Sequence, residues 1–561
     1  MERRGIDKAP LSSDRGAVGG YRETYEGYDR ESNERQLFGS AGIRNAAELC
    51  CDDHLGKNRV ALRWRSHDGR SAEYTFEDLS DRSRRFASVL AAAGVGRGDR
   101  VACLLPRIPE LLMTALGVWR LGALYQPLFT AFGPSAIEHR LRLSEAKVIV
   151  TDALNRAKLT DIDVGVRIVV VSPDGSVGQD GDLDFHREVE QAEPIPSVVP
   201  LVPDDPFLIM FTSGTTGPAK PLLVPLKAIL GFANYAIEAV DVRRDDRFWN
   251  IADPGWGYGL YFGVIGPLAL GHTILFYDGP FTVESTIATI RDYGITNLAG
   301  SPTAFRHIAA AGPEAVEAVK GQLRAVSSAG EPLNPDVISW FANHLGVVVH
   351  DHYGQTEAGM VVNNHHGLSH PVHLGSAGYA SPGYRVVILG DDGSELPPGQ
   401  QGQMAIDREG SPLFWFTGYI GSAPLTEGQR YYLSGDMAEF NDDGSISFVG
   451  RADDVITSSG YRIGPYDVES ALVEHRGVLE AGVVGKPDPQ RTEIVKAFVV
   501  LNPGFEPDAA LAHELQQHVR NRLSAHAYPR EIAFVKELPK TQSGKIQRFL
   551  LRSLDAGLQS G

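Results

Sequence analysis

The chain has few cysteines and no long hydrophobic run. Its 561 residues include three cysteines, Cys50, Cys51 and Cys103, whose spacing fits no metal site and which cannot all pair with one another. No apolar stretch of about 18 residues occurs, and no charged segment followed by an apolar one opens the chain. These absences argue against a disulfide framework, a membrane span and export, so the sequence predicts a protein of the reducing cytoplasm.

Positive charge is also scarce. Lys and Arg total 53 against 70 Asp and Glu, which gives a net charge of −17 at pH 7. A general nucleic-acid binder is excluded because no basic surplus exists to neutralise phosphates, and any anionic substrate must be held by local positive groups. The length predicts two or three domains, and the alternation of apolar runs with helical periods favours the α/β class.

Glycine, serine and threonine are concentrated behind one apolar run. The run Phe207–Phe211 predicts a buried strand, and it leads into Thr212, Ser213, Gly214, Thr215, Thr216, Gly217, Pro218, Ala219 and Lys220. Small residues let backbone N–H groups approach an anion, hydroxyls add donors, and the lysine adds charge. The Gly-x-x-Gly-x-x-Lys spacing differs from the G-x-x-x-x-G-K-[ST] motif, so it predicts a phosphate-binding loop for a different ATP chemistry.

The order of apolar runs predicts three regions. Residues 1–40 are polar and charged with little periodicity, and we expect an extension draped on the surface or partly disordered. Residues 41–452 contain two series of strand–helix repeats, which predict two doubly wound, largely parallel subdomains, and then short strands with Gly/Pro/Asp turns that predict a small antiparallel β subdomain. Residues 453–561 predict a small α+β domain.

Four further stretches carry specific residues in a fixed order. They are Tyr353–Glu357, Tyr432–Asp436, Gly450–Asp454 with Ser459–Arg462, and Pro539–Ile546. Together with the predicted phosphate-binding loop, they resemble the core motifs of the adenylate-forming superfamily, which includes acyl-CoA synthetases, adenylation domains and firefly luciferase. The resemblance is strongest to short- and medium-chain acyl-CoA synthetases and covers about residues 41–550, and it implies a C-terminal domain that moves.

The resemblance implies a ligase that uses ATP, Mg²⁺ and coenzyme A. A carboxylate attacks the α-phosphorus of ATP, and the CoA thiol then displaces AMP. The loop residues would hold the phosphates, Thr356 would lie beside them in a catalytic role, and Glu357 would hold Mg²⁺. The other implied ATP or AMP contacts are Gly330, Glu331, Pro332 and Tyr353 at the adenine, Asp436 and Arg451 at the ribose, and Gln355.

The resemblance also assigns roles in the C-terminal region. Lys545 would be the main catalytic residue of the first half-reaction, where its ammonium meets crowded negative charge. Asp453 matches the hinge position, and Gly460, Tyr461 and Arg462 match the segment that lines the CoA tunnel. A lysine acetyltransferase and deacetylase acting on Lys545 would be regulatory partners, because acetylation erases the charge.

The acyl pocket is predicted from one difference. Acetate-restricted relatives carry a tryptophan directly before Gln-Thr-Glu, whereas this chain has Gly354 there. Room for several methylenes, each contributing about 0.8 kcal/mol when buried, predicts short- to medium-chain or branched acids longer than acetate. The other predicted wall residues are Trp256 and Gly300, with Tyr258 and Ser301 as further candidates.

Two prolines depart from the usual pattern, and two other functions stay open. Pro221 follows Lys220 where glycine is usual, and Pro225 lies where histidine often stands, so we expect a stiffer strand behind the loop. A stand-alone adenylation enzyme that loads a carrier protein is the main alternative; the chain ends at Gly561 without a carrier domain, which favours free CoA but leaves a carrier in trans open. A catalytically silent relative is disfavoured because all the implied charged site residues are present.

Overall fold

The structure is a computed structural model that describes most of the chain. It covers residues 5–6, 20–39, 42–162, 165–172, 179, 181–212, 219–426, 428–458, 461–523, 526–540 and 545–558, with the backbone alone for 5–6, 461–462 and 555–558. Within this part, no helix has the length and apolar character needed to cross a membrane.

The described strands are numbered in chain order. They are β1 (Gly5–Ile6), β2 (Val60–Ser66), β3 (Ser71–Thr75), β4 (Arg100–Leu104), β5 (Leu124–Pro127), β6 (Val148–Asp152), β7 (Arg167–Val171), β8 (Leu183–Asp184), β9 (Pro206–Thr212), β10 (Lys220–Pro225), β11 (Phe248–Asn250), β12 (Ile274–Asp278), β13 (Asn297–Gly300), β14 (Ala325–Ala329), β15 (Val349–Gln355), β16 (Gly359–Asn363), β17 (Val372–His373), β18 (Tyr379–Ala380), β19 (Arg385–Leu389), β20 (Gln401–Asp407), β21 (Tyr431–Phe440), β22 (Ile446–Arg451), β23 (Ile456–Ser458), β24 (Tyr461–Ile463), β25 (Val478–Asp488), β26 (Thr492–Leu501) and β27 (Glu531–Phe534).

The α-helices are numbered in the same way. They are α1 (Tyr21–Glu26), α2 (Arg30–Phe38), α3 (Ala46–Cys50), α4 (Phe76–Ala92), α5 (Pro109–Arg120), α6 (Pro134–Ser144), α7 (Ala153–Arg156), α8 (Phe185–Gln191), α9 (Ala228–Asn234), α10 (Gly257–Leu260), α11 (Gly266–Ala269), α12 (Val283–Tyr293), α13 (Pro302–Ala310), α14 (Pro313–Val316), α15 (Pro335–Leu345), α16 (Pro465–Val473), α17 (Ala509–Arg522) and α18 (Arg548–Leu558). Two π-helical turns, Tyr235–Ala239 and Tyr261–Ile265, follow directly after α9 and α10.

Two largely parallel sheets form the frame of the larger domain. Seven strands lie in the order β10-β9-β5-β4-β6-β7-β8, in which only the edge strand β10 runs antiparallel. Six lie in the order β11-β13-β14-β15-β16-β18, in which the first four are parallel. Helices cover these sheets because buried parallel strands need crossover connections, so the predicted doubly wound α/β class is confirmed.

The remaining sheets complete the predicted class. β19, β20, β21 and β22 form an antiparallel sheet, as expected for the small β subdomain. β2 joins β3 and the distant β12 in a sheet of three strands. The C-terminal strands β23 to β27 form one sheet with an apolar core of its own, built around Val483, Val495 and Leu515. The boundary predicted after residue 452 falls in the turn between β22 and β23.

The N-terminal extension packs more closely than its composition suggested. Residues 20–39 contain α1 and α2, and Phe38 is buried. The hydroxyl of Tyr21 donates to the carbonyl of Ala380 at 2.8 Å, and that of Tyr25 donates to the carbonyl of Tyr384 at 3.0 Å. Two tyrosines four residues apart share one face of a helix, a signal that the surrounding charges concealed. Of the two expectations, disorder does not apply to residues 20–39, which form helices that lie on the larger domain with Phe38 as their one buried side chain.

The two unusual prolines both lie on the edge strand β10. Proline has no backbone N–H to donate. It is tolerated on an edge strand because one side of that strand has no neighbouring strand to hydrogen-bond. The carbonyl of Pro221 accepts a hydrogen bond from the N–H of Ile420 at 2.8 Å, and the pairing of β9 and β10 shifts register at Pro225. The edge strand is thus joined to the loop that contains Tyr419, because Tyr419 and Leu222 form an antiparallel β-bridge.

Candidate active site

A cleft of about 1200 Å³ opens where the strand ends of the larger domain meet the C-terminal domain. Its lining includes Thr212 and Lys220 from the seven-stranded sheet, Tyr353 and Gln355 from the six-stranded sheet, and Lys545 from the C-terminal region. Ligands in open α/β folds bind at the carboxyl ends of the strands, and this cleft lies there.

One side of the cleft is a hydrogen-bonded network that we call the polar wall: Tyr353, Gln355, Asp436 and Arg451. Asp436 and Arg451 are direct partners across β21 and β22, so the strand register itself brings them together. The hydroxyl of Tyr353 donates to Oδ2 of Asp436, and Nε2 of Gln355 donates to the same oxygen at 3.0 Å. Nη1 of Arg451 donates to Oδ1 at 3.2 Å. The Asp436 carboxylate is therefore oriented by three side chains.

Burial and the neighbouring charged groups have opposite effects on the pKa of Asp436. The residue is 4% exposed. Burial raises the pKa of this carboxyl, while the charge of Arg451, the bond from Tyr353 and the charge of Lys545 oppose that rise. A buried carboxylate gains from further donors, and two vicinal hydroxyls, such as those of a ribose, would supply them.

The two ends of the predicted phosphate-binding loop lie side by side. Thr212 and Lys220 are paired residues on β9 and β10. Ser213, Gly214, Thr215, Thr216 and Gly217 lie outside the described residues. The hairpin of β9 and β10 therefore places Thr212 and Lys220, the two described ends of this segment, together in the lining of the cleft.

An aromatic residue that the sequence predictions missed connects the loop to Glu357. The Nζ of Lys220 lies 5.3 Å from the ring centroid of Tyr419, a cation–π distance. The hydroxyl of Tyr419 donates to Oε1 of Glu357 at 2.5 Å. The only sequence signal was a Gly-Tyr pair after an aromatic run, and nothing in that pattern places it beside Glu357.

Glu357 and Thr356 follow directly after β15 at the same end of the cleft. Glu357 is buried, and both residues line the cleft. The carbonyl of Thr356 accepts a hydrogen bond from the hydroxyl of Tyr261 at 3.4 Å, and its side chain lies beside Gly257. A cation at this end would meet one carboxylate oxygen donor, and Mg²⁺ prefers such hard oxygens, so the donor fits this metal.

The segment Gly330, Glu331 and Pro332 also lines the cleft. Gly330 has a φ of +110°, which favours glycine, in the turn after β14. The carboxylate of Glu331 accepts from the hydroxyl of Thr303 at 2.5 Å and from Nη2 of Arg306 at 2.8 Å. This side chain is thus held by α13.

A second residue missed from the sequence, Asp351, lines the cleft near the same segment. Its Oδ2 accepts from the backbone N–H of Leu333 at 3.3 Å, and its buried Oδ1 has no hydrogen-bond partner in the described part of the chain. Burial raises the pKa of this carboxyl to about 8. A carboxyl that keeps its proton near neutral pH can donate as well as accept a hydrogen bond.

The lining also contains a mainly apolar set of residues that we call the apolar wall: Trp256, Tyr258, Phe262, Gly354 and Met360. The rings of Tyr258 and Phe262 lie 6.0 Å apart. Gly354 lines the cleft as expected, but the room predicted at this position is filled, because a Cβ built there would lie 2.4 Å from Sδ of Met360.

Gly300 and Ser301, two other predicted wall residues, differ in their position relative to the cleft. Gly300 is buried, and a Cβ built on it would lie 3.1 Å from the ring of Phe305 and 3.5 Å from Ile251. The next residue, Ser301, is among those that line the cleft. Ser301, whose Oγ accepts a hydrogen bond from the N–H of Ala304 at the start of α13, therefore borders the cleft, and Gly300 lies behind it.

The C-terminal region lines the cleft with three cationic side chains, of which Lys540 pairs with Glu480 and Arg548 pairs with Glu469, and the third is Lys545. Lys545 lines the cleft and acts on the charge balance of Asp436. Asp453 follows β22 and pairs with Nε of Arg451 at 3.3 Å, at the start of the C-terminal domain. Gly460 lies outside the described residues, and Tyr461 and Arg462 are described only as backbone of β24.

Comparison with known proteins agrees with this geometry. The profile of the family described as AMP-binding enzyme matches residues 53–419, and that of the AMP-binding enzyme C-terminal domain matches residues 467–545. The acetyl-coenzyme A synthetase of Bacillus subtilis is 38% identical over 555 residues, covering 96% of each chain.

Solved structures are similar over nearly the whole chain. An acyl-CoA synthetase of Brucella canis is 56% identical with a TM-score of 0.78, covering 97% of this chain and 100% of that one. An anthranilate CoA ligase in complex with anthranoyl-AMP is 25% identical with a TM-score of 0.82, covering 92% and 98%. With family profiles on both domains and a relative matched end to end, the chain belongs to the family of AMP-binding enzymes, as its motifs predicted.

Proposed function

We propose that the protein is an AMP-forming acyl-CoA synthetase that converts a carboxylic acid, ATP and CoA into acyl-CoA, AMP and diphosphate. The observation that carries this proposal is one cleft that combines the polar wall, the apolar wall and Lys545. A nucleotide bound by the first, an acyl chain held by the second and a cation between them are what an acyl-adenylate requires. The named relatives are acyl-CoA synthetases and a CoA ligase.

In the first half-reaction, an oxygen of the carboxylate attacks the α-phosphorus and diphosphate leaves. No general base is needed because the nucleophile is already ionised, so catalysis rests on positioning and on neutralising charge. Asp436 and Arg451 hold the ribose, the residues around Gly330 and Asp351 border the base, and Lys545 compensates the negative charge at the reacting oxygens. Thr356 lies beside the phosphates.

The phosphates lie toward Lys220 and Glu357 in this assignment. Mg²⁺ bound to Glu357 would neutralise phosphate charge. Tyr419, whose hydroxyl is bonded to the carboxylate of Glu357, orients that carboxylate and keeps it turned toward the cleft.

The second half-reaction needs a different face of the C-terminal domain. The CoA sulfur attacks the acyl carbonyl, AMP leaves, and the thiol proton goes to solvent. We assign Gly460, Tyr461 and Arg462 to the pantetheine path and Asp453 to the hinge, so that residues 453–561 rotate between the half-reactions. Lys545 leaves the cleft in that rotation, and acetylation of Lys545 by a lysine acetyltransferase would stop the first half-reaction alone.

Diphosphate release from ATP and Mg²⁺ tests the function directly. The panel comprises straight-chain acids from acetate to decanoate, isobutyrate and benzoate, each with and without CoA. The proposal predicts acid-dependent release with AMP as co-product, highest for short- to medium-chain or branched acids, and turnover that requires CoA. ADP as the product, or no release with any acid, would refute it.

Carrier-protein loading remains the second candidate. The same panel separates the two functions when CoA is replaced by a phosphopantetheinylated acyl carrier protein. Acid-dependent release that a carrier stimulates and CoA does not would assign the protein to carrier loading.

A further inference from the structure

The pairing of β15 with β16 determines which residue lies at the closed end of the acyl subsite. Gly354 on β15 is opposite Met360 on β16, next to an irregularity between Tyr353 and Gly354. A Cβ built on Gly354 would lie 2.3 Å from the carbonyl oxygen of Gly359 and 2.8 Å from Cα of Met360. These are backbone atoms, which cannot turn aside, so glycine at 354 is a requirement of this strand pair rather than an opening for substrate.

The space beside Gly354 is taken by the side chain of Met360. Met360 is 7% exposed and lines the cleft together with Gly354. Its main chain is fixed, because its carbonyl accepts a hydrogen bond from Oγ of Ser381 at 3.1 Å. The ring of Phe262 lies 3.9 Å from a Cβ built on Gly359, so an aromatic side chain closes the adjacent surface. The thioether is therefore the adjustable part of this end of the cleft.

We propose that Met360 is the specificity-determining residue of the acyl subsite: the tail of the acid ends on its thioether, and the size of residue 360 sets the chain length accepted. The inference rests on the proposed function and names the residue that selects among its substrates. Methionine has three rotatable bonds and no branch, so one side chain can retract or extend to contact acids of neighbouring lengths. We expect a graded preference for several straight chains instead of a sharp optimum.

The test compares three variants with the parent enzyme. Met360→Ala removes the thioether, Gly354→Ala adds a Cβ opposite it, and Met113→Ala is the matched control, a buried methionine of α5 outside the cleft. For each, kcat/KM is measured for butyrate, hexanoate, octanoate and decanoate. In parallel, calorimetry measures the Kd of the corresponding acyl-sulfamoyladenosines, which mimic the adenylate without reacting.

Met360→Ala is expected to raise the decanoate-to-butyrate ratio of kcat/KM at least tenfold, since each buried methylene changes affinity about fourfold. The Kd ratio of the mimics should shift in the same direction. Met113→Ala should lower Tm while it leaves both ratios at the parent values. Gly354→Ala should reduce kcat/KM for all four acids together, because its Cβ displaces backbone.

Two results with the variants would overturn the inference, and a third with the parent enzyme would do the same. One is an unchanged ratio in Met360→Ala; the other is a Gly354→Ala enzyme that handles butyrate normally and rejects only longer acids, as a simple pocket-filling residue would. If the parent turns over none of the acids, the proposed function fails, and the mimic affinities still decide the role of Met360. Mimic binding by the parent that is independent of chain length refutes it.

Discussion

The polar and apolar walls face the same cleft but are built on different principles. On the polar wall, Asp436 and Arg451 are neighbours in strand register, and directional hydrogen bonds from Tyr353 and Gln355 fix the carboxylate. On the apolar wall, shape depends on which side chain fills which gap, as Met360 does beside Gly354. Changes to the first should therefore affect every acid alike, whereas changes to the second should separate one acid from another.

The largest effect is expected from Asp436→Asn. The substitution keeps the shape of the side chain, removes its charge and leaves Arg451 without its buried counter-ion. Removing one partner of a buried ion pair lowers the stability of the folded site by about 3 kcal/mol or more. We expect kcat/KM for ATP to fall about 100-fold for every acid in the panel. Steady-state kinetics with butyrate and octanoate check this; a loss that differs tenfold between the two acids would break the comparison between the walls.

The next effect concerns stability and Asp351. The folded state holds this proton up to a pH of about 8, whereas an unfolded aspartate releases it near pH 4, so the parent loses about 1.4 kcal/mol of stability per pH unit in between. Asp351→Asn removes this dependence. The Tm of the variant minus the Tm of the parent, both measured without nucleotide, should increase steadily from pH 5 to pH 8.

The Asp351 prediction has a built-in control. Asp407→Asn replaces a buried carboxyl outside the cleft whose pKa is lowered, because its burial is outweighed by hydrogen bonds from Arg430 and Arg385, so its Tm profile should run parallel to that of the parent from pH 5 to pH 8. Parallel Tm profiles of the parent and Asp351→Asn across this range would show that Asp351 does not carry its proton to pH 8 in the folded protein.

A smaller effect is expected from Tyr353→Phe. The variant loses one hydrogen bond to a charged acceptor while it keeps the ring, a change of about 1.5 kcal/mol. The KM for ATP should rise about tenfold, with the order of preferred acids unchanged. An altered acid order would mean that Tyr353 belongs functionally to both walls.

The smallest effect is expected from Tyr258→Phe on the apolar wall. Its hydroxyl lies 3.5 Å from that of Tyr235, a distance at which a hydrogen bond is weak. We expect kcat/KM to change by about threefold or less, with the difference seen among acids and not in the KM for ATP. A larger change in the KM for ATP than in the acid ratios would contradict the assignment of Tyr258 to the apolar wall.

The sequence predicts the polar wall well and the apolar wall poorly, for a physical reason. Asp436 and Arg451 belong to motifs that the family resemblance assigns together to the ribose, and the register of β21 and β22 makes them direct partners. Met360 fills the space at Gly354 only because β15 and β16 pair with an irregularity, which no periodicity signals. Tyr419 reaches Glu357 from a loop more than sixty positions along the chain, and side-chain contacts of that kind are decided by tertiary packing.

The fold shows the same division between local and distant information. Alternating strands and helices predict the two parallel sheets, because buried strands leave continuous apolar runs. The pairing of β2 with β12 joins segments about two hundred residues apart, and the packing of Tyr21 and Tyr25 on residues 380–384 spans still more. The spacing of the two tyrosines marks a helix face but does not identify its partner, and nothing local marks the pairing of β2 with β12, so both contacts required the structure.

The most direct test of the account is a rapid-quench measurement of acyl-adenylate with ATP labelled at the α-phosphate, octanoate or butyrate, and no CoA. The account predicts that the parent forms about one acyl-AMP per cleft and that Lys545→Ala forms none, while Lys545→Ala still converts supplied acyl-AMP and CoA into acyl-CoA. If the parent consumes ATP without an acyl-adenylate, or if Lys545→Ala forms the adenylate at the parent rate, the central claim is contradicted.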